Sequence, residues 1–143
     1  MAQNTFHVSL YVDDLDAAID RYRKILGIEP AKVRHDYAKF EVADPPVILA
    51  LNKGGEPGKL SHLGIRYPGT ADVATEMVRT KSEGLEQLRQ KDTTCCYARA
   101  DKFWLQDADG VRWEMYTLLE DVEAETAADE SLRAFLSQSA RGD

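Results

Sequence analysis

Residues 6–12 read FHVSLYV, a strict alternation in which Phe6, Val8, Leu10 and Val12 share one face while His7, Ser9 and Tyr11 share the other. This is the pattern of a half-buried strand. Asp13 or Asp14 then caps a segment in which Leu15, Ala18, Ile19, Tyr22, Ile25 and Leu26 recur at helical spacing, and Gly27 ends it. Beyond Pro30, the stretches Ala31–Arg34, Tyr37–Val42 and Val47–Leu51 are predicted as short strands, the last two separated by the turn Asp44-Pro45-Pro46. Strand, helix and three strands together fill about residues 5–53.

After a glycine-rich loop over 53–59 the alternation restarts: Ser61, Leu63, Ile65 and Tyr67 lie on one face, His62, Gly64 and Arg66 on the other. An amphipathic helix is predicted over Ala71–Gln90, turning Val73, Met77 and Leu88 inward. Strands are predicted near Cys95–Ala98, Lys102–Gln106 and Val111–Thr117, with Asp109 and Gly110 turning the last hairpin. The second passage, about 59–119, thus repeats the element order of the first, and His7 and His62 hold the same register in it. The fold class expected is α+β, with paired βαβββ modules in a single domain over 1–119. Residues 120–143 turn acidic and alanine-rich and read as a peripheral tail, with a short helix at Ser131–Ser137.

A chain of 143 residues with 43% hydrophobic content can bury one ordinary core. Its net charge of -7, with no basic stretch to reverse it locally, argues against nucleic acid and anionic lipid as partners. The start, Met1–Phe6, lacks a basic segment followed by an apolar run, and no stretch approaches a membrane-spanning length. A soluble, cytoplasmic protein without membrane contact is expected.

Three residues read as metal ligands. His7 and His62 occupy the polar faces of strands whose other faces are apolar. On the last strand Val111, Trp113, Met115 and Thr117 take the apolar side and leave Glu114 on the other, with Arg112 and Tyr116. Two imidazoles and one carboxylate on rigid strands make the three-ligand face that leaves positions open on iron(II) for dioxygen and substrate. The same ligands also suit zinc or manganese. In the first passage the position matching Glu114 falls near Ile48 or Ala50, neither able to ligate, so a site with four protein ligands is not supported. A lone strand histidine is more often an ordinary polar or core residue, and it is the shared register that separates these two from that reading. His35, beside Asp36 at a turn, reads as a surface residue.

The only cysteines, Cys95 and Cys96, are adjacent and poorly suited to a structural disulfide. A close thiol pair can hold one soft atom, such as trivalent arsenic, by two bonds. Adjacent residues in a regular strand point to opposite faces, so this needs a loop or bulge across Asp92–Tyr97. One buried cysteine with an incidental neighbour is the other reading.

Taken in order, FHVSLYV at 6–12, DYAKF at 36–40, DPPV at 44–47, LSHLGI at 60–65, TTCCYA at 93–98, DKFW at 101–104 and RWEMY at 112–116 resemble the vicinal oxygen chelate superfamily. That superfamily holds glyoxalases, bleomycin resistance proteins and extradiol dioxygenases. The resemblance is to its carbon–arsenic lyases and their cadmium-induced relatives, and the adjacent cysteines followed by DKFW carry it most specifically. It implies a cupped mixed sheet around one metal site, with Fe(II) on His7, His62 and Glu114 and a trivalent organoarsenical substrate held by Cys95 and Cys96. Cleavage of the carbon–arsenic bond with dioxygen would release arsenite. Tyr97, Lys102 and Tyr116 are candidates for hydrogen bonds or protons around that site. Two other readings stay open: a thiol-based protein that sequesters arsenic or cadmium without turnover, and an extradiol-type ring-cleaving dioxygenase. One chain can complete such a site, so a monomer or a homodimer would serve.

Overall fold

The computed structural model describes residues 3–95 and 98–121, with side chains described except at 91–95, 98, 120 and 121. Along the chain run β1 (Thr5–Tyr11), α1 (Leu15–Leu26), β2 (Lys32–Arg34), β3 (Tyr37–Val42), β4 (Val47–Asn52) and β5 (Leu60–Arg66). Then follow α2 (Thr70–Ser82), β6 (Leu88–Cys95), β7 (Ala98–Gln106) and β8 (Arg112–Asp121). The order β-α-β-β-β thus occurs twice, and the fold is α+β. By compactness the chain divides after Leu63, inside β5, into a unit Thr5–Leu63 and a unit beginning at Gly64.

In Thr5–Leu63 the strands form a mixed sheet. β1 runs parallel to β4 in the register Phe6↔Val47 to Tyr11↔Asn52, while β3 pairs antiparallel with β4 and with β2. Helix α1 covers one face of it. Leu15 and Ile19 from the helix pack with Ala38, Phe40, Leu49 and Leu51, and Val8, Leu10 and Val12 extend the cluster. The strict alternation of β1 therefore does what it predicts, sending its aliphatic residues to the helix and His7 and Ser9 to the other face. The helix boundaries follow local chemistry. The Asp14 carboxylate accepts from the Ala17 N–H at 3.0 Å, and Gly27 adopts the left-handed conformation at φ 70°. Asp14→Ala is expected to lower stability by about 1 kcal/mol, read as a lower urea midpoint at unchanged slope.

In the unit beginning at Gly64, β6, β7 and β8 form an antiparallel ribbon. Tyr67, Val73, Phe103, Leu105 and Met115 pack beneath α2, with Ile65, Met77 and Trp113 around them. The β7–β8 hairpin closes as predicted: Gly110 stands at φ 88°, and the Asp107 carboxylate accepts from the Asp109 and Val111 N–H groups. Helix α2 is shorter than its sequence pattern suggests. It is capped by Gly69, whose N–H donates to the Asp72 carboxylate, and stops at Ser82, two residues before Gly84 at φ 84°. Gln87 then folds back, its amide donating to Met77 O and Thr80 Oγ1. This turns the chain so that Leu88 begins a strand rather than continuing an apolar helix stripe. The strand expected at Cys95–Ala98 is instead the end of β6 meeting the start of β7, with Cys95 paired to Ala98. Strand β8 runs on through Asp121 and takes Glu120 and Asp121 from the expected tail. Cys96, Tyr97 and residues 122–143, including the expected helix at Ser131–Ser137, lie outside the described residues. Among the described residues no helix is long and apolar enough to cross a membrane.

Candidate metal centre

Within Thr5–Leu63, β1 and the first half of β5 bring His7 and His62 together. Their rings stack with centroids 5.2 Å apart and planes 13° from parallel. His7 is buried and His62 half-buried. The Ser61 hydroxyl lies 3.1 Å from His62 Nδ1. In the tautomer that carries its proton on Nδ1, that nitrogen donates to Ser61 and Nε2 presents its lone pair, the form a metal needs. The ladder sets His7 opposite Ile48 and Ser9 opposite Ala50. Ile48 and Ala50 are fully buried, so the first passage adds no carboxylate where the second has Glu114. Ser9 is tied down in turn, accepting from Asn52 Nδ2 at 2.5 Å.

Within the second unit, Glu114 projects from the face of β8 opposite its helix-packed residues Trp113 and Met115. It is 7% exposed, and its Oε2 accepts from the Lys102 ammonium at 2.5 Å. Lys102 is itself 4% exposed, so this is a buried charge pair. Its ammonium also lies 5.7 Å from the centroid of the Trp104 ring. The Trp104 indole N–H donates to Gln90 Oε1 at 3.1 Å. Tyr116, buried, is the cross-strand partner of Lys102, as Trp104 is of Glu114. The Lys102 ammonium thereby holds the carboxylate at Oε2. Tyr67 belongs to the opposite, helix-packed face; burial, then the nearby Glu76, pushes its phenol up to about 12, so it stays neutral at ordinary pH.

Of the residues singled out from the sequence, the structure brings His7 to His62 and Lys102 to Glu114. Cys96, Tyr97 and the side chain of Cys95 lie outside the described residues. His35 is a surface residue as expected, 84% exposed and 3.6 Å from Asp36. Gln90 and Trp104 were not anticipated. Gln90 falls in the stretch read as helix, and the alternation of Lys102 and Trp104 against Phe103 and Leu105 was the signal that Trp104 shares the Glu114 face.

Three comparisons with known proteins bear on the family and fold of the chain. The family profile described as Glyoxalase/Bleomycin resistance protein/Dioxygenase superfamily matches residues 5–115. The chain is 42% identical over 117 residues to the "Cadmium-induced protein CadI" of Mycobacterium tuberculosis, covering 81% of this chain and 77% of that protein. It is 41% identical over 126 residues to the "Trivalent organoarsenical cleaving enzyme" of Thermomonospora curvata, covering 87% and 83%. Among solved structures, a Mn(II)-bound glyoxalase from Novosphingobium aromaticivorans matches with a TM-score of 0.61 at 18% identity, over 85% of this chain and 41% of that one. The substrate complex of homoprotocatechuate 2,3-dioxygenase from Brevibacterium fuscum matches at 0.60 and 20%, over 91% and 39%. These two share the fold.

Proposed function

Because the chain belongs to the Glyoxalase/Bleomycin resistance protein/Dioxygenase superfamily, we propose that it is an Fe(II)- and dioxygen-dependent enzyme that cleaves the carbon–arsenic bond of trivalent organoarsenicals and releases arsenite. Methylarsonous acid is the simplest such substrate, and aromatic arsenicals belong to the same class. Its relatives named as trivalent organoarsenical cleaving enzymes support that substrate class. The observation that carries the metal reading is the donor set: two facing imidazoles, and a buried carboxylate secured on one oxygen by Lys102. We assign His7, His62 and Glu114 as the ligands of one metal ion.

Two imidazole nitrogens and a carboxylate oxygen fit iron(II) while leaving room in its coordination shell. When bound there, the metal would supply the activation of dioxygen that no side chain can provide. The protein does the rest. Ser61 can accept the His62 Nδ1 proton, and Lys102 fixes the carboxylate. Cys95 and Cys96 hold the arsenic as thiolates and so orient the carbon–arsenic bond. A cytoplasmic setting keeps that thiol pair reduced, and one chain supplies all five residues, so a monomer or a homodimer serves. With dioxygen supplying both added oxygen atoms, methylarsonous acid balances to arsenous acid plus formaldehyde. Geometry adds one requirement. Ala98, the partner of Cys95, stands six residues along β7 from Trp104, the partner of Glu114, which is about 20 Å of extended strand. The ribbon must therefore curl, and its register shifts at Gln90/Thr93 and Arg99/Ala100 are where bulges let it bend.

The test is to load the protein anaerobically with iron(II), add methylarsonous acid, admit air and follow arsenite by chromatography with elemental detection. Arsenite is expected in excess of enzyme; none above the iron-only control would overturn the proposal. Cys95→Ser and Cys96→Ser should each weaken arsenical capture by ~100-fold or more with iron affinity unchanged, since a hydroxyl does not replace a soft thiolate. Capture of the arsenical without release would instead mark a sequestering protein.

A further inference from the structure

We propose that Gln90 and Trp104 are positioning residues for Glu114, acting through Lys102. This rests on the reading of Glu114 as a metal ligand and extends it to two residues that touch neither metal nor substrate.

The ladder places the four side chains on one face of three adjacent strands. Gln90 pairs with Lys102 and Leu88 with Trp104 across β6 and β7, while Lys102 pairs with Tyr116 and Trp104 with Glu114 across β7 and β8. Gln90 and Trp104 are therefore diagonal neighbours, as are Lys102 and Glu114, within reach of long and aromatic side chains. An indole N–H only donates, so the group facing it must be the amide oxygen of Gln90, and both residues are buried at 7% and 4% exposure. That bond stops the indole from rotating. The fixed ring then presents its face to the Lys102 ammonium at 5.7 Å, the range in which a cation is attracted by an aromatic ring. Held on that side, the ammonium grips Glu114 Oε2 and sets which oxygen, and which direction, the carboxylate offers to a metal. Outer hydrogen-bond partners of this kind commonly tune metal affinity by about 10–100-fold. A purely structural tryptophan on this face would need its N–H satisfied, but it would not need its ring set beside a cation that holds the ligand carboxylate.

The experiment titrates cobalt(II) anaerobically into the parent protein, Gln90→Leu, Trp104→Phe and Glu114→Gln, following the visible bands of the bound ion, with thermal melting as the fold control. Gln90→Leu is expected to weaken cobalt(II) binding by about 10-fold and to shift the bands, and to lower kcat for methylarsonous acid more than it raises KM. Trp104→Phe keeps the aromatic face and loses only the donor, and should weaken binding in the same direction, which keeps the test open if Gln90→Leu does not fold. In a Lys102→Met background Gln90→Leu should add less than about twofold, because the path it acts through is gone. Parent-like affinity and bands in Gln90→Leu or Trp104→Phe would overturn the inference, as would an undiminished Gln90→Leu effect in the Lys102→Met background. Glu114→Gln separates the two levels. If it binds cobalt(II) as tightly as the parent, the ligand reading itself fails; if it alone weakens binding, only the positioning role falls.

Discussion

Glu114→Gln is expected to cost at least ~100-fold in iron(II) affinity and ~1,000-fold in kcat/KM while leaving the fold standing. A neutral amide is a poor ligand for a hard-to-borderline divalent ion, and one of three protein ligands is lost. The shape of the side chain is preserved, and its amide oxygen can still accept from the Lys102 ammonium that Glu114 Oε2 now engages. Glu114→Ala should behave differently. It withdraws the carboxylate from an ammonium only 4% exposed, and removing one partner of a buried pair costs about 3–5 kcal/mol. That is enough to take a large share of a small protein's stability. The measurement pairs an anaerobic iron(II) titration with thermal unfolding: Glu114→Gln should melt near the parent and bind poorly, and Glu114→Ala should do neither well. A Glu114→Gln protein that binds iron(II) and turns over like the parent would remove Glu114 from the ligand set.

Why so much of this was legible in the sequence, and some not, comes down to range. The β1 alternation, the Asp14 cap and the left-handed Gly27 are local signals, and the elements they predict lie where expected. So are the period-two patterns that put His7 and His62 on matching faces. The end of α2 is also local, but it is set by Gly84 and by the Gln87 side chain folding back onto Met77 and Thr80, and the apolar spacing of Leu88 mimicked a continuing helix. That one misplacement hid β6 and with it Gln90. Lys102 stood among the candidates around the site, but its pairing with Glu114 could not be read from the sequence. Lysine is almost never buried unless paired, and the pair exists only because the β7–β8 register sets Lys102 diagonally from Glu114. No spacing along the chain states that register.

Gly64→Ala should lower both the stability of the protein and its affinity for metal. Gly64 is not a left-handed residue, so its backbone conformation would accept alanine; the obstacle is space. A Cβ there would collide with the Glu114 carbonyl oxygen and stand 3.3 Å from its carbonyl carbon and Cβ. These are mostly backbone atoms, which cannot swing away as the end of a flexible side chain would. Strand β8 is also anchored, paired to β7 from Arg112 to Asp121 and accepting from Tyr67 N at Tyr116 O. The strand must therefore shift as a body, at the cost typical of overpacking, about 1–3 kcal/mol. Because the atoms displaced belong to Glu114, metal affinity should fall as well, by about 10-fold or more, as it does when the surroundings of a ligand are disturbed. Gly110→Ala supplies the contrast. At φ 88° with nothing within 4 Å of an added Cβ, it should lose about 1–2 kcal/mol from backbone strain alone and bind metal as the parent does. Parallel urea unfolding and iron(II) titration of the two variants separate lost stability from a displaced ligand. Equal metal affinity in both would mean that the close approach at Gly64 serves packing and leaves the Glu114 carboxylate where it was.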